Sequence, residues 1–212
     1  MIEIISHRGL WNDQISKNSI ESFQKSFQSG FGTETDIRDH CGKIVISHDM
    51  PGYSKKHIYF ETFLQLYKQS NLEVTLALNV KSDGLCEAVK SSLKSFQIEN
   101  YFLFDMSVPD QLQYLNCNLN TYSRLSEHEK NPVFYDSING IWLDAFETIW
   151  YNEEIIRKNI TQNKKVCVVS SELHKRNHIE LWEFLKLSQL HTLSGIILCT
   201  DLPIQAKHYF YE

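Results

Sequence analysis

Residues 34–49 read Glu34-Thr35-Asp36-Ile37-Arg38-Asp39-His40-Cys41-Gly42-Lys43-Ile44-Val45-Ile46-Ser47-His48-Asp49. A strand predicted over Gly32 to Ile37 carries Glu34 and Asp36 at i and i+2, positions that share one side of a strand and aim both carboxylates at one point. Two carboxylates held together call for a cation between them, and oxygen donors select a hard one. The turn at Cys41-Gly42-Lys43 and a short apolar run, Ile44 to Ser47, predict a returning strand that brings His48 back toward the acidic pair. Taken alone, a Glu-x-Asp pair is more often an exposed edge feature than a metal site. Its neighbours in the sequence decide otherwise.

Working outward, Ile2 to Ser6 is an isoleucine-rich run suited to a strand covered on both faces, and it ends in His7-Arg8-Gly9. Ile20, Phe23 and Phe27 recur at helical spacing between Asn18 and Ser29, with Asn18 or Ser16 available as N-cap and Gly30 at the C-terminal end. Beyond the His48-Asp49-Met50-Pro51-Gly52 loop, the same alternation of apolar runs and helical stripes continues. Strands are predicted over Leu72 to Val80, Tyr101 to Phe104, Leu119 to Tyr122, Ile138 to Leu143, Lys165 to Ser170 and Ser194 to Cys199. Helices are predicted over Phe60 to Gln69, Asp83 to Ser95, Val108 to Leu115, Asn152 to Thr161, about Ile179 to Leu187, and after Pro203. Only a turn near Glu127 to Lys130 fills the place after the fifth strand. Eight strand-helix cycles without an antiparallel meander indicate a (β/α)₈ barrel in one domain spanning residues 1–212, with a doubly wound sheet as the alternative.

In a barrel of this kind, function collects where strands become loops. The polar residues at those eight points are His7, Glu34 with Asp36, Asn79 with Lys81, Asp105 with Ser107, Arg124, Asp144, Glu172 with His174, and Asp201. Arg124 and Glu172 are candidate substrate or phosphate contacts, with a solvated loop an equally good reading of each. Trp142, Trp150 and Tyr151 are an apolar wall over a substrate or, more commonly for aromatics there, core.

The chain has 212 residues with 42% hydrophobic content, enough for a substantial core. Its 26 acidic and 21 basic residues are intermixed, which argues against nucleic acid as a partner. Five widely spaced cysteines without a Cys-x-x-Cys pattern suggest neither disulfides nor zinc and fit a reducing compartment. No basic-then-apolar leader and no membrane-length run appears. The expectation is a soluble cytoplasmic protein without stable membrane insertion.

The order His7-Arg8-Gly9, Asn18-Ser19-Ile20-Glu21-Ser22-Phe23, Glu34-Thr35-Asp36, Gly42 and His48-Asp49 resembles the signature of the glycerophosphodiester phosphodiesterases. Lys81 and the Gly195-Ile196-Ile197-Leu198-Cys199-Thr200-Asp201-Leu202-Pro203 run resemble that family's third and eighth strands, whereas Phe96 to Asn163 matches only in rhythm. The resemblance implies a phosphoric diester hydrolase of lipid metabolism on a (β/α)₈ barrel, acting on a soluble small-molecule glycerophosphodiester. It implies His7 and His48 as acid and base, and Glu34 and Asp36 as ligands of one divalent cation, Mg²⁺ or Ca²⁺. Arg8 and Lys81 suit the phosphate oxygens on chemical grounds. The chain departs from the family at Asn79, where a glutamate ligand is usual, and at Lys17, where a glutamate is frequent. An amide oxygen still suits a hard cation but removes one negative charge. Two other readings follow from the same residues: a barrel that only binds a phosphorylated ligand or partner, and a metal-independent phosphodiesterase resembling phospholipase C.

Overall fold

The computed structural model describes residues 1–53 and 56–212. The chain packs as two compact units, residues 6–121 and residues 1–5 with 122–212. The first strand, β1 (Glu3–His7), gives its opening residues to one unit and its end to the other.

In the unit formed by residues 6–121, β1 leads through His7-Arg8-Gly9 to α1 (Ile20–Gln28), followed by β2 (Gly32–His40), β3 (Lys43–Ile46), β4 (Ile58–Tyr59), α2 (Phe60–Gln69), β5 (Leu76–Val80), α3 (Cys86–Ser95), β6 (Tyr101–Phe104) and α4 (Val108–Asn116). The N-cap of α1 is Ser19, neither Asn18 nor Ser16: its hydroxyl accepts from the Ser22 amide while the Ser22 hydroxyl accepts from the Ser19 amide. Asn18 is drawn away by a stronger partner, described below. β5 starts at Leu76, four residues later than the alternation predicts, although Val74 still packs against the core. Strands β2, β5 and β6 are parallel, with Asp36 opposite Asn79 and Glu34 opposite Ala77. Against the expectation of no antiparallel meander, β2 extends to His40 and pairs antiparallel with β3, which pairs antiparallel with β4. The turn of the first hairpin is Cys41-Gly42, both at positive φ, 48° and 73°, the conformation that matches strand twist in a two-residue hairpin. Behind the sheet, Phe23, Phe27, Phe60, Phe63, Leu64, Leu76, Leu78, Val89 and Leu103 form one core, with Phe23 edge-on to Phe63 at 4.7 Å.

The other unit runs β7 (Tyr122–Leu125), β8 (Gly140–Leu143), α5 (Glu153–Thr161), β9 (Lys165–Val169), α6 (Ile179–Leu187), β10 (Ile196–Thr200) and α7 (Pro203–Tyr211), the strands pairing in parallel as β7-β8-β9-β10. β7 begins where the predicted fifth strand, Leu119 to Tyr122, ends. The apolar signal at Leu119 belongs instead to the core behind α4, so Arg124 stands within the strand and not after it. Trp142 and Tyr151 are buried and Trp150 half-buried, which puts the first two in the core.

Gly140 has no room for a side chain: a Cβ there would lie 2.5 Å from the Tyr122 ring and 2.6 Å from the Lys165 carbonyl oxygen. Overpacking of a filled core costs about 1–3 kcal/mol. Gly140→Ala should lower the unfolding free energy by about that amount, read from urea titrations.

Candidate active site

The polar centre of residues 6–121 begins with a backbone constraint. After β1, Arg8 at φ 61° and Gly9 at φ 84° turn the chain sharply. A Cβ on Gly9 would sit 2.7 Å from the Ser22 backbone, so only glycine fits. The turn is fastened to β2 and to the Thr33 side chain: the Arg8 amide donates to the Glu34 carbonyl at 2.9 Å, and the Gly9 amide to Oγ1 of Thr33 at 2.9 Å.

This geometry delivers Arg8 to Asp36. Its Nε lies 2.8 Å from Oδ2 of Asp36, and Nζ of Lys81 lies 3.5 Å from Oδ1. Asn18, at φ 52°, donates from Nδ2 to the same Oδ2 at 2.9 Å and accepts from the Thr35 hydroxyl at 2.9 Å. Asp36 is wholly buried, so two cations and an amide replace the water it has lost. Lys81 is positioned in turn from β2, donating its amide to the Ile37 carbonyl at 2.9 Å. It also stands 3.9 Å from Asp105.

Beside this ion pair lies Glu34, 1% exposed, with Oε2 3.8 Å from Nε2 of His7. Asn79, opposite Asp36 in register and therefore on the same face of the sheet, is also buried. Among the described residues, Glu34 Oε2, Asp36 Oδ1 and Asn79 Oδ1 are buried oxygens that accept no hydrogen bond. His48 follows β3 on a loop whose backbone is tied back by Arg38, which donates to the His48 carbonyl at 3.1 Å and to the Lys81 carbonyl at 3.4 Å. Nδ1 of His48 lies 2.8 Å from Oδ1 of Asp49. Hydrogen bonding with His48 holds the exposed Asp49 carboxyl below its usual range, so the carboxylate accepts and the ring presents Nε2. A cleft of about 420 Å³ joins Arg8, Asn18 and His48, with Lys17 and His57 on its walls.

No protein-family model and no curated protein matches this sequence. Solved structures do match its fold. A Galdieria sulphuraria protein assigned to the glycerophosphodiester phosphodiesterases superposes with a TM-score of 0.80 at 13% identity, over 100% of this chain and 98% of that one. The Agrobacterium tumefaciens glycerophosphodiester phosphodiesterase gives 0.74 at 12% identity, with 100% of both chains covered. An Oleispira antarctica phosphodiesterase, in complex with the product sn-glycerol-3-phosphate, gives 0.74 at 16% identity over 99% and 97%. The chain has the fold of the glycerophosphodiester phosphodiesterases. The mixed α/β architecture expected from the strand-helix cycles is thus that of the phosphodiesterase fold.

Of the residues singled out in the sequence, His7, Arg8, Asn79 and Lys81 sit at the carboxyl ends of β1 and β5, Glu34 and Asp36 lie at the third and fifth positions of β2, within its stretch of parallel pairing with β5, and His48 lines the cleft that Arg8 enters. Arg124 and Glu172 belong to the other unit. There Arg124 pairs with Glu129 at 3.5 Å and lies over the Phe146 ring. Oε1 of Glu172 accepts from the Thr200 hydroxyl and from the Asp201 amide at 3.0 Å. Two participants escaped the sequence reading as site residues. Asn18 reads as a helix cap, yet its place directly before the capping serine was the available signal; Arg38, two residues past Asp36 on the same side of β2, carried the same i, i+2 signal. Among the described residues no three His, Cys, Asp or Glu side chains gather as a metal site; the set here is two carboxylates and an amide.

Burial, and then the nearby Asp36 charge, push the Glu34 carboxyl well above its ordinary 4.5, against a smaller downward pull from Arg8 and Lys81. The folded protein therefore keeps a proton on Glu34 at pH values where the unfolded chain has released it. With more protons bound in the folded state, stability falls as pH rises from about 4.5 toward the folded value. In chelator, the urea midpoint of the wild type should decline across that window, and Glu34→Gln should flatten the decline. An unchanged slope would show that Glu34 ionises as freely as in the unfolded chain.

Proposed function

We propose that this chain is a phosphoric diester hydrolase acting on a soluble glycerophosphodiester or a related glycerol-phosphate compound. The observation that carries the reading is the meeting of Arg8 and Lys81 on buried Asp36, beside a Glu34 that touches His7. The sn-glycerol-3-phosphate held by the Oleispira phosphodiesterase, a protein of the same fold, supports a substrate of this class.

A phosphodiester anion repels its nucleophile and has a poor leaving group, so hydrolysis needs positive charge at the non-bridging oxygens and a proton path at each end. Arg8 and Lys81 are the donors to those oxygens. Of His7 and His48, one takes the proton from the attacking hydroxyl and the other returns a proton to the departing alcohol. Asp49 holds the His48 ring with Nδ1 protonated and Nε2 presented for that exchange. Among the described residues the five cysteines form no disulfide, as the reducing cytoplasm would favour, and no helix is long and apolar enough to cross a membrane.

One divalent cation, Mg²⁺ or Ca²⁺, fits the donor set. Glu34 Oε2, Asp36 Oδ1 and Asn79 Oδ1 are hard oxygens without hydrogen bonds among the described residues, and they would hold it. Bound there, it would supply further positive charge to the phosphate. The charges of Arg8 and Lys81 already balance those of Asp36 and an ionised Glu34. A second reading, metal-independent hydrolysis by Arg8 and Lys81, draws support from the two cations already beside Asp36 and the Asn18 amide on its Oδ2.

His7→Ala and His48→Ala should each lower kcat on glycerophosphodiesters by roughly a hundredfold or more while leaving the melting temperature close to wild type, as expected for loss of a general acid or base. Near-normal turnover in both variants would end the assignment. Asn79→Glu should tighten Mg²⁺ or Ca²⁺ binding in calorimetry by adding a third carboxylate. Full wild-type activity in excess chelator would select the metal-independent reading.

A further inference from the structure

Resting on the phosphodiesterase reading, we infer that Lys17 selects diesters whose alcohol carries a second anionic group. The cleft that holds Arg8 and His48 encloses about 420 Å³, room for a whole small diester and not its phosphate alone. Lys81 is outside the cleft lining, and Arg8 is the phosphate donor that reaches the cleft; with the phosphate at Arg8, an alcohol seated in the cleft meets Lys17, the other lysine or arginine among its described lining residues.

Lys17 is held from two directions. Its ammonium lies 4.0 Å from the centre of the Trp11 ring, whose Nε1 donates to the His7 carbonyl at 3.1 Å. Asn18, the next residue, donates its amide to the Arg8 carbonyl and its side chain to Asp36, each at 2.9 Å. The positions of Lys17, His7 and Arg8 are therefore tied together by contacts within twelve residues of chain. A lysine fixed this way meets a group at a set distance from the scissile phosphate, which is what discrimination between alcohols requires. The other charged cleft residue, Asp49, is paired with His48 and is turned to the histidine. A phosphate or carboxylate on the alcohol gains a charge-assisted hydrogen bond from Lys17 that a neutral hydroxyl cannot match.

The test compares glycerophosphoglycerol with its derivative phosphorylated on the terminal hydroxyl, using the full chain with Mg²⁺ or Ca²⁺ supplied. Wild type should favour the phosphorylated diester in kcat/KM by about tenfold, the scale of one charge-assisted hydrogen bond in a half-open cleft. Lys17→Gln should bring the ratio near one, mainly by raising KM for the phosphorylated substrate; Lys17→Glu should invert it, and Lys17→Arg should keep it. The wild-type preference should shrink as salt rises. Should the Glu variant not fold, the Gln and Arg pair carries the comparison. Hydrolysis of both diesters with equal kcat/KM, or a preference that survives Lys17→Gln, overturns the inference and leaves the phosphodiesterase reading standing. Failure to hydrolyse either diester overturns both.

Discussion

Everything at the polar centre depends on one buried negative charge. Asp36 is out of reach of water, and an isolated carboxylate there would cost several kcal/mol. The fold meets that cost with Arg8 from the β1 turn, Lys81 from the end of β5 and Asn18 from the approach to α1. Three separate segments are thereby fixed around β2. The positive φ at Arg8, the glycine that follows it and the amide bonds of the turn are the backbone geometry that lets Arg8 reach. The placement of both cations comes as a by-product of solving this desolvation problem.

Glu34 shows the same physics with the opposite outcome. Only two residues from Asp36, it feels burial and the Asp36 charge more strongly than the pull of Arg8 and Lys81, and its carboxyl is driven toward the neutral form. Two carboxylates on one strand face are thus differentiated by who stands next to them: one is an ionised anchor, the other a group whose charge depends on what enters the site. Asn79, neutral at every pH, completes the row without adding to the repulsion.

The sequence displayed this centre unusually well because its elements are short-range. The i, i+2 spacing of Glu34 and Asp36, the Cys41-Gly42 turn and the His7-Arg8-Gly9 strand end each act within a few residues, and each is found where its local chemistry puts it. Errors arose where tertiary packing outweighed local pattern. Leu119 was claimed by the core and not by a strand, which moved β7 by three residues and drew Arg124 into it. Asn18 has the composition of a helix cap, yet the unmet demand of a buried carboxylate eighteen residues away claimed its side chain. The antiparallel β3–β4 addition was half visible, since Ile44 to Ser47 reads as a strand but the two-residue partner at Ile58 is too short to leave a periodic signal.

The Arg8–Asp36–Lys81 contact has a consequence for how descendants of this chain would change. Because it ties together three segments, selection for a folded protein alone would preserve Arg8, Asp36, Asn18 and Gly9 after any loss of catalysis. His48 differs, for the half-exposed His48 and the solvent-facing Asp49 contribute little to holding the chain together. In a lineage drifting away from hydrolysis, His48 would therefore be replaced early and the ion pair last. Survival of the His48 imidazole, more than survival of the charged motif beside it, is the trace that continuing chemical selection would leave.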